Sequence, residues 1–379
     1  MAFSFLAGIR ILDLSQYLPG PLAAQVLSDL GAEVVKVEPP AGDPQRHLDP
    51  MSGLLDPDVV VGGDASPFYQ VLNAGKTVTR LDLKSESGKA QFRALVEGTD
   101  VLLESYRPGV MDRLGFGYDA ARALNPGLIY CALTGYGQTG PLRLAAGHDL
   151  NYMAATGALS QAGTAAGPAM AWPPMADCAG AVMSALAILG ALVRRGRDGQ
   201  GAYLDVAMSD CVLSWQAIGL TAEKLGLGKA RGVALLTGGA ACYRVYACAD
   251  GRELTLGNLE PQFWENFCRA VGRDDWISRQ WEGLPQAELI AEVADLLAGR
   301  PLDHWLSVLD GVDTCVQPVA DYAGVADQPQ VKARGLVADD PLGGVQVLLP
   351  ILADGMTTGE RAPLALRTAD QILRGWEKA

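Results

Sequence analysis

The chain has 379 residues, 49% hydrophobic and 19% charged, so it can bury an extensive core in about two structural units and is not disordered. A net charge of −13 opposes non-specific binding to nucleic acid or to an anionic membrane, yet local Lys and Arg can still hold an anionic substrate. The seven cysteines are odd in number, scattered and free of any C-x-x-C pair, a reduced pattern with neither a zinc site nor a disulfide framework.

The opening reads as a βαβ unit. Gly8 to Leu14 is a strand, Pro21 to Leu30 a helix entered through Pro19-Gly20-Pro21, and Glu33 to Val37 a second strand. Such a start implies a parallel sheet with a right-handed crossover. The first turn, Ser15 to Pro21, lacks G-x-G-x-x-G, and its prolines remove amides that a pyrophosphate would need, which excludes NAD or FAD binding there. A loop rich in Pro, Gly and Asp runs from Pro39 to Ser66. Further strands are predicted at Thr77 to Leu83, Asp100 to Glu104 and Leu128 to Leu133, with helical stretches between them. Ala74-Gly75-Lys76-Thr77 resembles the tail of a P-loop, but Gln70 stands where its first glycine belongs, so ATP binding is rejected.

After Pro173-Pro174 the pattern predicts a long helix over about Ala176 to Arg195, then a strand at Tyr203 to Val206. The weakly polar run Cys178 to Val193 is shorter than the roughly 20 residues that span a bilayer and is rich in Ala, Gly and Ser, so a buried helix is expected. Tyr243 to Ala249, Asp250-Gly251 and Glu253 to Gly257 form a β-hairpin signal. Helices follow at about Pro261 to Val271 and Glu288 to Leu297. The expected organisation is a large α/β domain over 1–208 completed by 319–379, a linker over 209–238, and a small α+β domain over 239–318. The N-terminus shows no basic n-region and no cleavage pattern, so the expected compartment is the cytoplasm, or an organelle matrix in a eukaryote.

Three histidines, His47, His148 and His304, offer imidazole chemistry, and a lone histidine is more often structural than catalytic. His148 stands out because Ala146-Gly-His-Asp-Leu-Asn-Tyr152 is a polar cluster between glycine-rich stretches, where α/β proteins gather their sites. Asp177 opens the long helix; it either complements the positive helix end or is a reactive carboxylate, with Gly180 one turn on leaving room for a ligand. Glu260, before Pro261, has the ordinary explanation of an acidic first turn.

Taken together, the segments resemble the family III CoA-transferases, a group that includes formyl-CoA and carnitine CoA-transferases and α-methylacyl-CoA racemases. The resemblance rests on Arg10-Ile-Leu-Asp-Leu-Ser15 with Pro19-Gly-Pro21, and on Asp29 to Pro40 with Gly42-Asp43 and Arg46. It continues through Leu81-Asp-Leu-Lys84, Tyr106-Arg-Pro-Gly109, Thr134 to Pro141, Asp177-Cys-Ala-Gly180, Gly199-Gln-Gly201 and Asp205 to Asp210.

That resemblance implies a Rossmann-like large domain, a smaller α+β domain, and an interlocked homodimer with each site between two chains. It implies CoA contacts at Asp82, Leu83, Lys84 and Arg107 and at Gly147, Asp149, Asn151 and Tyr152, where Lys and Arg suit phosphates. No metal or separate cofactor is implied, since CoA is part of the substrate.

Two branches differ in chemistry. In transferases the carboxylate matching Asp177 attacks the thioester, and a glycine-rich loop, best matched here by Gly238-Gly239, covers the intermediates. In racemases two bases on opposite faces exchange the α-proton. Gly147-His148-Asp149, Asn151-Tyr152 and Glu260-Pro-Gln-Phe263 follow the racemase pattern, whereas transferases usually carry an aromatic residue at the position of His148. The long Pro40 to Asn73 segment is transferase-like. The leading expectation is racemisation of a 2-methylacyl-CoA, with His148 and Asp177 as the two bases and Glu260 as the partner of His148. CoA transfer through Asp177 is the runner-up, and a non-catalytic CoA-binding protein a third reading.

Overall fold

The computed structural model describes residues 3–49, 53–54, 65–341 and 344–378. The Pro39 to Ser66 loop therefore falls partly outside the described residues; Pro44–His47, within it, forms one 3-10 turn. The chain divides into two units, residues 1–155, 173–214 and 328–379 in one and 156–172 and 215–327 in the other.

The strands of the two main sheets are β1 (Arg10–Asp13), β2 (Glu33–Glu38), β3 (Thr77–Arg80), β4 (Val101–Glu104), β5 (Ile129–Thr134), β6 (Ala202–Ala207), β7 (Tyr243–Ala247), β8 (Glu253–Gly257), β9 (Val316–Pro318) and β10 (Ala365–Leu366). The helices that matter are α1 (Pro19–Asp29), α2 (Glu86–Glu97), α3 (Asp149–Ala155), α4 (Met175–Asp198), α5 (Met208–Ser214), α6 (Pro261–Ala270), α7 (Ala287–Ala298) and α8 (Ala369–Trp376).

The larger unit is α/β, built on a seven-stranded sheet in the order β6-β5-β4-β1-β2-β3-β10. Every pairing in it is parallel. Strands buried on both faces need continuous apolar runs, which is why β4 and β5 are buried at every residue. Strand order reverses between β1 and β4, so their following loops diverge and leave a crevice at the carboxyl edge of the sheet. Phe92, Leu95 and Val96 of α2 and Ile372 and Trp376 of α8 pack with Leu12, Val35 and Leu102 in one core.

Helix boundaries move outward from their predicted positions for local reasons. Helix α1 begins at Pro19, since a proline's missing amide costs nothing in the first turn. Helix α4 runs on to Asp198 and is stopped by Gly199 in the left-handed conformation (φ 71°). At 24 residues α4 is, among the described residues, long and apolar enough to cross a membrane, unlike the shorter run expected from sequence. One face, including Ala176, Ala179, Gly180, Ser184 and Ile188, is nonetheless buried, while Val182 and Leu186 are exposed.

The smaller unit pairs β7 with β8 and β8 with β9, both antiparallel, over a core holding Trp264, Phe267, Trp276, Leu289 and Val293. Its limits differ from the expected ones. Residues 156–172 belong to it, because Arg231 Nε donates to Thr164 O (2.9 Å) and Gln161 Nε2 donates to Lys229 O (3.3 Å). The segment read as a linker carries a helix at Ala217–Lys224.

Candidate active site

A cavity of about 520 Å³ opens at the reversal point of the large sheet. Its lining comes from the loops after β1 (Gln16, Tyr17), after β4 (Ser105, Tyr106, Arg107) and after β5 (Gly135, Tyr136, Arg143, Ala145 to His148), with Tyr152 of α3, Asp177 of α4 and Met208 of α5. His148 and Asp177, 29 positions apart in sequence, thus share one cavity inside the larger unit.

A layer of buried charge shapes the cavity's first wall. Lys76 Nζ, fully buried, reaches Asp13 Oδ2 (3.0 Å) and also donates to Pro21 O and Asn73 Oδ1 (both 2.9 Å). All three ammonium protons are thereby used, so the P-loop-like lysine has none left for a phosphate. Lys36 Nζ donates to Ser15 O (2.8 Å) and pairs with Asp43 Oδ2 (3.0 Å). Asp13 Oδ1 accepts from the Ser15 amide (3.0 Å) and hydroxyl. These bonds fix the loop in which Tyr17 takes a left-handed backbone (φ 63°), a costly conformation for a bulky residue.

The second wall depends on Glu104. Its Oε2 accepts from Tyr106 N (2.7 Å), which shapes the turn carrying Arg107, and Gln16 N donates to Ser105 Oγ (3.1 Å). Burial, aided by the nearby Asp112 charge and opposed by the Tyr106 bond, pushes the Glu104 carboxyl up to about 7. A carboxyl whose folded pKa is raised costs nothing below its unfolded value and its full penalty above the folded one. Stability should therefore fall as pH rises from about 4.5 to about 7 on this account. Glu104→Gln is expected to raise stability by up to about 3 kcal/mol at pH 8 and to leave it unchanged below pH ~4.5, as read by denaturant titration at both pH values.

The third wall holds His148. Asn151 Oδ1 accepts from His148 N (3.0 Å), Asn151 N donates to His148 O (2.8 Å), and Tyr152 Oη donates to Gly147 O (2.5 Å). Gly147 is required here, since a Cβ would lie 2.8 Å from the Tyr152 ring. Asn151 and Tyr152, expected at a CoA contact, thus brace the histidine loop. Asp149 Oδ1 accepts from Ala176 N (2.5 Å) and Asp177 N (3.2 Å). The Asp177 carboxyl is pushed up to about 7, first by burial and second by the Asp149 charge.

The other predicted residues fall elsewhere. Asp82 and Lys84 are exposed in the turn after β3, where Asp82 Oδ1 accepts from Lys84 N (2.9 Å), and Leu83 is buried in the core; all three stand apart from the cavity lining. Glu260 lies in the smaller unit, exposed at the N-cap of α6, immediately before the first turn, and its side chain makes no cap bond. Gly180 makes no room for a ligand: a Cβ would come 2.6 Å from Met208 Cγ and 3.2 Å from Leu133 Cδ1, so it lets α4 pack on α5 and β5. Gly238 lines a separate cavity of about 740 Å³ in the smaller unit. His47 and His304 are both exposed, His304 edge-on to Trp305. Missed from sequence were Gln16, Tyr17, Tyr136 and Arg143; the rule that α/β sites form where strand order reverses could have pointed to the first two.

A family model described as CoA-transferase family III matches residues 6–363. Human alpha-methylacyl-CoA racemase is 36% identical over 334 residues, covering 87% of this chain and 81% of that protein. The acetyl-CoA:oxalate CoA-transferase of Acetobacter aceti is 32% identical over 364 residues, covering 90% of this chain and 86% of its own. The crystal structure of a CAIB/BAIF family protein from Brucella suis superposes with a TM-score of 0.83 at 28% identity, covering 98% of this chain and 99% of that one. With motif, fold and similarity agreeing over nearly the whole length, the chain belongs to CoA-transferase family III.

Proposed function

We propose that the protein racemises 2-methylacyl-CoA thioesters by two-base α-proton transfer in this cavity. The observation that carries the reading is that Asp177, with its carboxyl near 7, shares the cavity with an imidazole. A carboxyl in that range can both take and return a proton at neutral pH, whereas a carboxylate serving as nucleophile is better left fully ionised. One base removes the α-proton as the Cα–H pair becomes a double bond to the thioester carbon and the carbonyl π pair moves onto the oxygen, forming an enolate. The other then delivers a proton to the opposite face, and the enolate pair forms the new Cα–H bond. The thioester itself acidifies the α-carbon, so no separate cofactor or metal is called for.

Arg107 and Arg143 at the cavity are the cations we assign to CoA phosphates, with Gly147 and Tyr152 framing the thioester end. Asp82, Leu83 and Lys84 remain assigned to the nucleotide end. We further propose a cytoplasmic homodimer, in which Glu260 of a partner subunit orients His148. The exposed apolar side chains of Val182 and Leu186 on α4 support self-association.

The 32% identity to an acetyl-CoA:oxalate CoA-transferase keeps one second reading in view, CoA transfer. There the Asp177 carboxylate would attack the acyl carbon and expel CoA thiolate, leaving a mixed anhydride. The thiolate would then attack the Asp177 carbonyl and release the donor acid, and the resulting aspartyl-CoA thioester would pass CoA to an acceptor acid by the same two steps in reverse. Incubating the protein with a 2-methylacyl-CoA in deuterated solvent, with no acceptor acid, separates the two. Racemisation predicts deuterium at the α-carbon and loss of optical purity. An unlabelled substrate, with an Asp177 adduct trapped by hydroxylamine, would replace it with transfer.

A further inference from the structure

Helix α4 starts directly after Pro173-Pro174, and its N-cap residue, Pro174, supplies no side-chain bond to the free amides of the first turn. Those amides need an acceptor from elsewhere. Asp149 provides it, with Oδ1 taking both Ala176 N and Asp177 N. Asp149 also opens α3 directly after His148, whose loop is held by the Asn151 and Tyr152 bonds.

We propose that the Asp149 side chain is a positioning residue, which ties the His148 loop to the first turn of α4 and so fixes the two proton-transfer groups relative to each other. This assignment rests on the two-base reading of the cavity and gives the side chain a role other than contact with CoA. A second consequence comes from its charge. Held beside the Asp177 amide, the Asp149 carboxylate disfavours ionisation of Asp177, adding to burial. Other titratable groups near Asp177 are Tyr152 of α3, Cys178 of α4, and His148, Arg107 and Arg143 on the cavity loops. Asp149 differs from these in accepting directly from the Asp177 amide.

Two variants separate the roles. In Asp149→Asn the amide oxygen can still accept both backbone bonds while the charge is lost; in Asp149→Ala both are lost. The direct readout is the titration of Asp177 in protein labelled with 13Cγ-aspartate, its signal assigned by its absence in Asp177→Asn. The expected result is a midpoint about one pH unit lower in Asp149→Asn, with KM within about twofold of the parent. Asp149→Ala should lower kcat by about 10- to 100-fold with little change in KM, because a misplaced base slows the chemistry rather than binding. An unshifted Asp177 midpoint, or variants that raise KM while kcat holds, would overturn the proposal. The titration needs no turnover, so absent α-proton exchange by the parent would remove the racemase reading while the midpoint still decides the role of Asp149.

Discussion

Asp177→Asn is expected to lower racemisation by at least about 10³-fold, to the uncatalysed background, while leaving the fold intact, because an amide fills the same space but can neither take nor return a proton. CoA transfer, were it present, would be lost as well, since the amide is no nucleophile. The same change should make the protein more stable above pH 7. Asp177 is pushed up to about 7 by burial and by Asp149, so its ionised form is penalised in the fold. That penalty is absent below the unfolded carboxylate pKa, grows as pH rises toward the folded value, and is complete above it. Thermal melts of both proteins should therefore coincide near pH 4 and diverge near pH 8, the variant melting higher. A more stable, inactive enzyme is the expected signature of a site that holds a strained charge for chemistry.

The second large effect concerns the buried charges under the β1 loop. Asp13 and Lys76 are both fully buried and 3.0 Å apart. Burial works against ionising Asp13, but Lys76 and Lys36 outweigh it and hold its carboxyl below the usual range. Burial brings Lys76 down to about 8, against the pull of Asp13, so the pair remains ionised at neutral pH. Removing one member leaves an uncompensated charge in the core, a loss of about 3–5 kcal/mol. Asp13→Ala is expected to show it in urea titration, together with a drop in activity, since the Ser15 bonds that fix the Gln16-Tyr17 wall go too. The paired change Asp13→Leu with Lys76→Met removes both charges and leaves Lys36 matched with Asp43 (3.0 Å). It should recover most of the stability but not the activity. Equal stability of Asp13→Ala and the parent would contradict this reading.

The sequence revealed much of the frame, and the reason is physical. Strands buried on both faces are written as apolar runs over most of their length, as at Val101 to Leu103 and Ile129 to Leu133, and such runs are visible. Ala365–Leu366 carries no such signal: two residues pairing with Thr77–Val78 have neither length nor pattern. His148 and Asp177 were legible as a pair through their flanking motifs. What braces them was not. Asp13 and Lys76 are 63 positions apart, and Lys76 reads in sequence as a phosphate-binding lysine rather than as a buried partner. Asp149 likewise reads as part of a binding motif, while its carboxylate serves amides 27 and 28 positions away. Long-range polar pairing has no periodicity, so only the fold displays it.

The two-base claim is tested most directly with the two enantiomers of an α-deuterated 2-methylacyl-CoA, each incubated separately in ordinary water with the parent, His148→Ala and Asp177→Asn. The parent should wash the label from both enantiomers and interconvert them. Each variant should wash it from one enantiomer only, the two variants with opposite preference, and neither should racemise. Label loss from both enantiomers in either variant, or racemisation by either, would contradict a mechanism in which His148 and Asp177 serve opposite faces of the α-carbon.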